Sequence, residues 1–198
     1  MGGGPLFILD MAACALLAAA AACLGRVRGG HVSGAAVLGC LAGLSLPLLR
    51  ECLLGMSAYA LDSTPHLAAA VFGSLAGLAA ARLSMRFRGV FYWLDTFGLA
   101  LAAPVSAVKG AEAGFGLTGA LLLGLLSGLA GSLARDMALG DTARAVEEPL
   151  YATAAVLGIL PAQALLLYGL CRPWQAALAG AAVIALLRFS RRRSGEIL

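Results

Sequence analysis

The residues of this chain that could do chemistry are few, and most of them are charged. Two arginine–acid pairs, Arg50-Glu51 and Arg135-Asp136, the only lysine, Lys109, and two aspartates, Asp10 and Asp95, stand inside or at the ends of long apolar runs. A charge at the centre of a bilayer costs roughly 2.5–3.5 kcal/mol on insertion scales, so it marks a functional site or a compensating partner. Arg50 and Arg135 either stand at opposite mouths of one pathway, attracting or repelling ions, or snorkel to the interface and pair with their acidic neighbours. Lys109 follows Pro104 at the end of an apolar run; it either reaches into a cavity as a compact, mobile charge or snorkels. Asp10 and Asp95 open their runs near the amino ends, where the helix dipole favours an anion, and read as first-turn stabilisers rather than a cation site. Ser45, Ser127 and Ser132 either hydrate a pore or bond to their own backbone. His31 and His66 are isolated near run ends and read as interfacial rather than as ligands. The five cysteines, Cys14, Cys23, Cys40, Cys52 and Cys171, form no C-x-x-C pair and read as small buried side chains. No Ser-His-Asp set, H-E-x-x-H or P-loop pattern occurs. Enzyme chemistry, a metal, a cofactor and a nucleic-acid partner are not expected.

The elements that must position these residues are membrane helices. Of 198 residues 61% are apolar and only 12% charged, about half the charge of an ordinary soluble domain. The mean hydropathy is +0.92. A helix crossing a bilayer needs about 20 apolar residues. The predicted spans are Leu6–Leu24, Ser33–Leu54, His66–Ala81, Phe91–Val108, Gly116–Leu139, Leu150–Leu170 and Trp174–Leu187, the third and the last being short. The first run has no basic segment before it and reads as a transmembrane helix rather than a signal peptide. No linker is long enough to separate two soluble domains, so residues 1–198 are expected to form one transmembrane domain ending in a basic tail at 189–198. With seven spans, one side holds Arg50, Lys109 and Arg172 and the other the remaining 11 basic residues. The positive-inside rule then predicts an external amino terminus and a cytoplasmic carboxyl terminus, the tail lying against anionic lipid. Ala, Gly and Arg usage fits a GC-rich bacterium and hence its inner membrane. The chain contains no Asn, so it has no N-glycosylation acceptor.

The chain repeats itself. A shift of 85 residues carries Asp10 onto Asp95 without a gap. The same shift carries Leu9 onto Leu94, Gly25 onto Gly110, Gly39 onto Gly124, Gly43 onto Gly128, Arg50-Glu51 onto Arg135-Asp136 and Leu54-Gly55 onto Leu139-Gly140. The first copy runs from about 6 to 81 and the second from about 91 to 170, with a seventh helix at about 174–188. Three spans per copy invert the second copy, the arrangement of many transporters and some channels. The middle helix of each copy reads as breakable at one place, by Pro47 in the first and by Gly131 in the second. Freed carbonyls at membrane depth must meet protein, water or an ion, so paired bends could line a polar pore; alternatively they only shape packing. Gly30-x-x-x-Gly34, Gly39-x-x-x-Gly43, Gly73-x-x-x-Gly77 and Gly124-x-x-x-Gly128 permit close helix contact within a bundle or between protomers.

The second copy resembles a known family. Trp93-Leu94-Asp95-Thr96-Phe97-Gly98-Leu99-Ala100, Lys109-Gly110-Ala111, Gly124-x-x-x-Gly128-x-x-Gly131-x-x-x-Arg135-Asp136 and Glu148-Pro149-Leu150-Tyr151-Ala152-Thr153-Ala154 resemble prokaryotic TRIC (trimeric intracellular cation) channels, whose bacterial members are also described as glycine-transporter-like. Through the repeat the resemblance covers nearly the whole chain. It implies seven helices, a homotrimer with one pore per protomer, and permeation of monovalent cations, chiefly potassium. The family's triple-glycine bends fall on Ser45-Leu46-Pro47 and Ala130-Gly131-Ser132, so the first is eroded. Its arginine–acid pairs match Arg50-Glu51 and Arg135-Asp136, and its basic residue at the end of the fourth helix matches Lys109. The leading expectation is a potassium-permeable channel with Lys109 as a movable plug, Arg50 and Arg135 shaping the field, and Pro47, Pro104, Gly128 and Gly131 at the bends. The other readings are a secondary transporter for a small solute such as glycine, and a structural protein with a closed, lipid-filled centre. Membrane lipids are expected partners in every case.

Overall fold

The computed structural model describes residues 4–56, 64–86 and 89–193. The connection at Asp62-Ser63, Arg88 and the tail beyond residue 193 lie outside the described residues, as do the side chains of Arg86 and of residues 191–193. Seven long helices follow one another: α1 (Pro5–Val27), α2 (Val32–Leu53), α3 (Thr64–Arg86), α4 (Val90–Glu112), α5 (Leu117–Ala138), α6 (Pro149–Leu167) and α7 (Pro173–Arg193). A single helical turn at Arg144–Glu147 precedes α6. All seven are long and apolar enough to cross a membrane. At 1.5 Å per residue the 23-residue helices span roughly 35 Å, against about 30 Å of hydrocarbon.

The local chemistry explains the boundaries. Pro5, Pro149 and Pro173 each occupy a first helical position, where the missing N–H costs nothing. Gly29 and Gly114 end α1 and α4 with φ of +86° and +90°, and Gly55 and Gly140 end α2 and α5 with φ of +65° and +71°. Glycine adopts this left-handed closure without strain. These are two repeat pairs, and the bounds of α1 and α2 fall on those of α4 and α5 under the same 85-residue shift. The spans expected to be short are full-length, with α3 at 23 residues and α7 at 21. An apolar window ends at a charge, whereas Arg82 and Arg188 continue their helices.

Neither middle helix is interrupted. Helix α2 runs continuously through Pro47, and α5 through Gly131. Helix α4 likewise continues through Pro104. Pro47, Pro104 and Gly131 therefore end no helix, and the helical run continues past each of them. At Gly128 and Gly131 glycine serves close approach: a Cβ at Gly128 would lie 2.7 Å from Ala103 Cβ, and one at Gly131 2.6 Å from the Ala42 carbonyl oxygen.

Alanine and glycine set the packing. Helix α1 packs against α2, α3 and α4, and α4 also packs against α5, α6 and α7. Helices α2 and α5 meet each other. Gly39 and Gly43 of α2 lie on Ala18 of α1, while Gly124 and Gly128 of α5 lie on Ala103 of α4, the repeat equivalent of Ala18. Gly73 and Gly77 of α3 lie against the backbone of Ala15 and Ala19. Three of the four G-x-x-x-G motifs therefore work inside the helix bundle of one chain; Gly34 faces open space. Gly77→Val is expected to cost about 1–3 kcal/mol or more, because backbone cannot yield to the added atoms. Gly34→Ala is expected to stay within about 0.5 kcal/mol. Thermal unfolding of both variants in detergent checks the contrast.

The cysteines are all free. Cys14 and Cys23 are buried and Cys40 and Cys171 half-buried, but Cys52 is exposed at the end of α2, against expectation.

Two buried charge centres

Asp10 is the sixth residue of α1 and 1% exposed. It caps nothing. Its carboxylate takes a two-pronged ion pair from Arg50 of α2, with Nη1–Oδ1 at 2.7 Å and Nη2–Oδ2 at 2.8 Å. The planar guanidinium fork matches a carboxylate in this geometry. Lys109, in the last turn of α4, places Nζ 2.5 Å from Oδ2. His66, near the start of α3, brings Nε2 to 3.4 Å from the same oxygen. His66 is buried rather than interfacial, while His31 is exposed ahead of α2.

Asp95 in α4 repeats this arrangement and is fully buried. Arg135 of α5 donates from Nη1 to Oδ1 at 2.5 Å, and Arg188 of α7 donates from Nη2 to Oδ2 at 3.2 Å. The Tyr151 hydroxyl donates to Oδ1 at 3.1 Å. Arg135 also meets Asp136, Nε to Oδ1 at 2.8 Å, and Asp136 in turn accepts the backbone N–H of Arg144 at 3.0 Å. Arg188 donates from Nε to Thr96 Oγ1 at 3.0 Å. Its guanidinium lies 4.4 Å from the Tyr151 ring centroid, close enough for a cation–π contact.

The two centres correspond residue by residue. Asp10 and Asp95, Arg50 and Arg135, and His66 and Tyr151 are pairs under the 85-residue shift. The third partner breaks the symmetry: Lys109 comes from the other copy, and Arg188 from the extra helix. Because Lys109 at the carboxyl end of α4 reaches Asp10 near the amino end of α1, these two central helices run antiparallel. Asp95 lies 14 residues from Lys109 on α4, which separates the centres by roughly 21 Å along the axis.

Sequence reasoning singled out Arg50, Arg135 and Lys109 but assigned the aspartates to first-turn stabilisation, and it missed Tyr151, Arg188 and the burial of His66. A signal was present. Aspartate and arginine are separated by 40 residues in both copies, and His66 and Tyr151 coincide in the same frame. Glu51 and Asp136 are buried beside their arginines. Arg50 forks onto Asp10, whereas Arg135 holds both Asp95 and its neighbour Asp136. Among the serines, Ser45 donates to the Leu41 carbonyl at 2.6 Å and Ser132 to the Leu129 carbonyl at 2.9 Å. The hydroxyls of Ser106 and Ser127 are buried without a hydrogen-bond partner among the described residues. Outside the spans, Arg28 after α1 and Asp141 after α5 form a 2.5 Å ion pair. The hydrogen bond from Arg28 holds the Asp141 carboxyl below its ordinary range.

Seven apolar helices with paired internal ion centres define a multi-pass membrane protein, and its architecture is that of the TRIC channels. A TRIC trimeric intracellular cation channel orthologue from Rhodobacter sphaeroides superposes with a TM-score of 0.87 at 23% identity, over 96% of this chain and 98% of that one. A prokaryotic TRIC channel crystallised in 0.5 M KCl superposes with a TM-score of 0.84 at 18% identity, over 94% and 96% of the two chains. The chain belongs to the UPF0126 membrane protein family: it is 30% identical over 189 residues to a UPF0126 membrane protein of Deinococcus radiodurans, covering 93% of this chain and 86% of that relative. Residues 92–166 also match the family described as Glycine transporter. That match coincides with the second three-helix copy.

Proposed function

We propose that the chain forms a monovalent cation channel, chiefly for potassium, assembled as a homotrimer with one pore in each protomer beside α2 and α5. The observation that carries this reading is the pair of buried Asp–Arg centres, near opposite ends of the antiparallel α1 and α4, in a fold shared with cation channels. Charge inside a membrane domain is costly to retain, and its default meaning is an ion route or its control.

The chemistry of the two centres suggests different duties. Asp95 is held by two arginines and a tyrosine. A guanidinium stays charged at any working pH, and both arginines are buried. This centre is a fixed tie among α4, α5, α6 and α7. Asp10 is held by one arginine, a histidine and Lys109, whose side chain is 23% exposed. An ammonium on a flexible stem can leave and return. The Asp10–Lys109 contact is the releasable one, and we assign Lys109 the role of a charged plug. The buried Ser106 and Ser127 hydroxyls lie on α4 and α5 between the two depths and would meet permeating water or ion. The basic-residue asymmetry supports an external amino terminus and a cytoplasmic carboxyl terminus in a bacterial inner membrane.

Purified protein in planar bilayers under a KCl gradient is expected to show unitary currents that reverse toward the potassium equilibrium potential. Silence at every potential from verified trimers would overturn the proposal. The match to the glycine-transporter family favours a second reading, a secondary transporter of a small solute. That reading predicts saturable, gradient-coupled glycine uptake into proteoliposomes without unitary current.

A further inference from the structure

Two clefts on the surface of this bundle are repeat equivalents of each other, and their charges differ. The first holds about 540 Å³ and is lined by Arg26, Val32, Leu78, Ala81 and Arg82, among others. The second holds about 370 Å³, and its lining includes Ala111, Leu117, Gln163, Leu166 and Leu167 at the corresponding positions. Each lies where the carboxyl ends of two helices, α1 and α3 or α4 and α6, meet the amino end of the intervening one, α2 or α5. The architecture therefore makes the same groove twice, near opposite ends of the bundle. Only the first carries basic residues. Where it has Arg26 and Arg82, the second has Ala111 and Leu167, and the second adds the carboxylate of Glu112.

Arg26 and Arg82 form no ion pair with any described residue. Arg26 donates from Nη1 to the Gly30 carbonyl at 3.1 Å, which anchors the guanidinium and leaves its other donors available. Arg82 is exposed one turn before the end of α3. Neighbouring arginines are neutralised differently: Arg28 pairs with Asp141, and Arg144 with Glu148. Val32, Leu78 and Leu83 add an apolar lining to the same cleft. Two guanidinium groups without an ion-pair partner among the described residues, sharing an apolar groove at the end of membrane-spanning helices, match one ligand chemistry: an anionic phosphodiester attached to an acyl chain. Guanidinium binds phosphate oxygens through paired N–H donors. The leucines accept hydrocarbon.

We propose that the Arg26–Arg82 cleft is a binding site for an anionic phospholipid, with the headgroup phosphate on the two arginines and an acyl chain along Leu78 and Leu83. The site is one-sided, because its repeat twin lacks the cations. It does not depend on whether the protein is a channel or a transporter.

The test is native mass spectrometry and thermal unfolding of the full chain in detergent, titrated with phosphatidylglycerol or phosphatidylcholine. Wild-type protein is expected to bind phosphatidylglycerol preferentially and to be stabilised by it. Arg26→Gln/Arg82→Gln is expected to bind it roughly thirty-fold more weakly, at about 1 kcal/mol for each basic residue near a membrane surface. Arg172→Gln, outside the cleft, is expected to behave as wild type. Both arginines lie at the surface; should the double variant lose its fold, Arg82→Gln alone carries the test, with a loss of about fivefold. Millimolar inorganic phosphate is expected not to displace the lipid; displacement would mean that free phosphate, not a lipid, is the ligand and would overturn the proposal. Equal binding of phosphatidylcholine, or unchanged phosphatidylglycerol binding in the folded variants, would also overturn it.

Discussion

Asp95→Ala is expected to be the most destabilising single substitution in the chain. It removes the anion from a fully buried site and leaves Arg135 and Arg188 facing each other with like charge. Breaking one buried ion pair by deleting a partner costs about 3–5 kcal/mol, because the surviving charge has no solvent to return to. Here two charges survive, and neither can be relieved by losing a proton. Asp136 remains beside Arg135 and softens that half of the loss. Arg188 keeps the Thr96 hydroxyl and a distant Glu148 at 3.9 Å, which do not replace a carboxylate. The net cost of about 3–5 kcal/mol is a large part of the 5–15 kcal/mol typical of a folded domain. The variant should show sharply reduced yield and a much lower unfolding temperature. The triple variant Asp95→Ala/Arg135→Met/Arg188→Met should recover part of the loss, since an apolar replacement of a buried ion cluster is often neutral. An Asp95→Ala protein that melts with the wild type would show that the arginines escape to water, and would remove the fixed-tie role. Asp10→Ala should cost less, because Lys109 can swing to solvent or deprotonate.

Lys109→Ala is expected to have the largest effect on function. If the Asp10–Lys109 contact holds the resting state, its loss removes a charge-assisted hydrogen bond of about 1.5–3 kcal/mol. The closed-to-open ratio should then move by roughly tenfold to more than a hundredfold toward open. The ammonium is also a mobile charge in the membrane field, which is worth about 2.3 kcal/mol per full charge per 100 mV. Lys109 lies near one end of its helix and senses only part of that field, so the variant should lose part of the voltage dependence rather than all of it. Lys109→Arg should retain voltage sensitivity with altered kinetics, because the guanidinium fork must compete with Arg50 for the same carboxylate. Single-channel open probability across potentials, in protein of wild-type stability, is the measurement. Identical open probability and voltage slope in wild type and Lys109→Ala would rule out the plug. Asp10→Asn offers an independent check: it weakens the grip on Lys109 from the other side and should shift opening in the same direction.

The same residues show how far a one-dimensional reading reaches. The seven spans, the 85-residue frame and the pairing of Arg50 with Arg135 are legible in the sequence, because hydropathy and self-similarity are properties of neighbouring and regularly spaced residues. The glycine ladder is legible for the same reason, and the close packing of α2 on α1 and of α5 on α4 bears it out. The outer ends of α3 and α7 were not, because an apolar window stops at Arg82 and Arg188 while the backbone hydrogen bonds do not. Pro47 and Gly131 do not end their helices. A proline forfeits one hydrogen bond, and a helix packed along its length retains the rest.

By itself the sequence determined that the chain lives in a membrane, how many times it crosses, and that it is built from one unit used twice. Only the tertiary structure decided what the charges do. Asp10 meets Arg50 across 40 residues and Lys109 across 99, and Asp95 meets Arg188 across 93. Those contacts depend on which helices touch and at what depth. The physical reason is that a bilayer gives a buried charge no water, so its partner is whichever opposite charge the packing of small residues brings within reach.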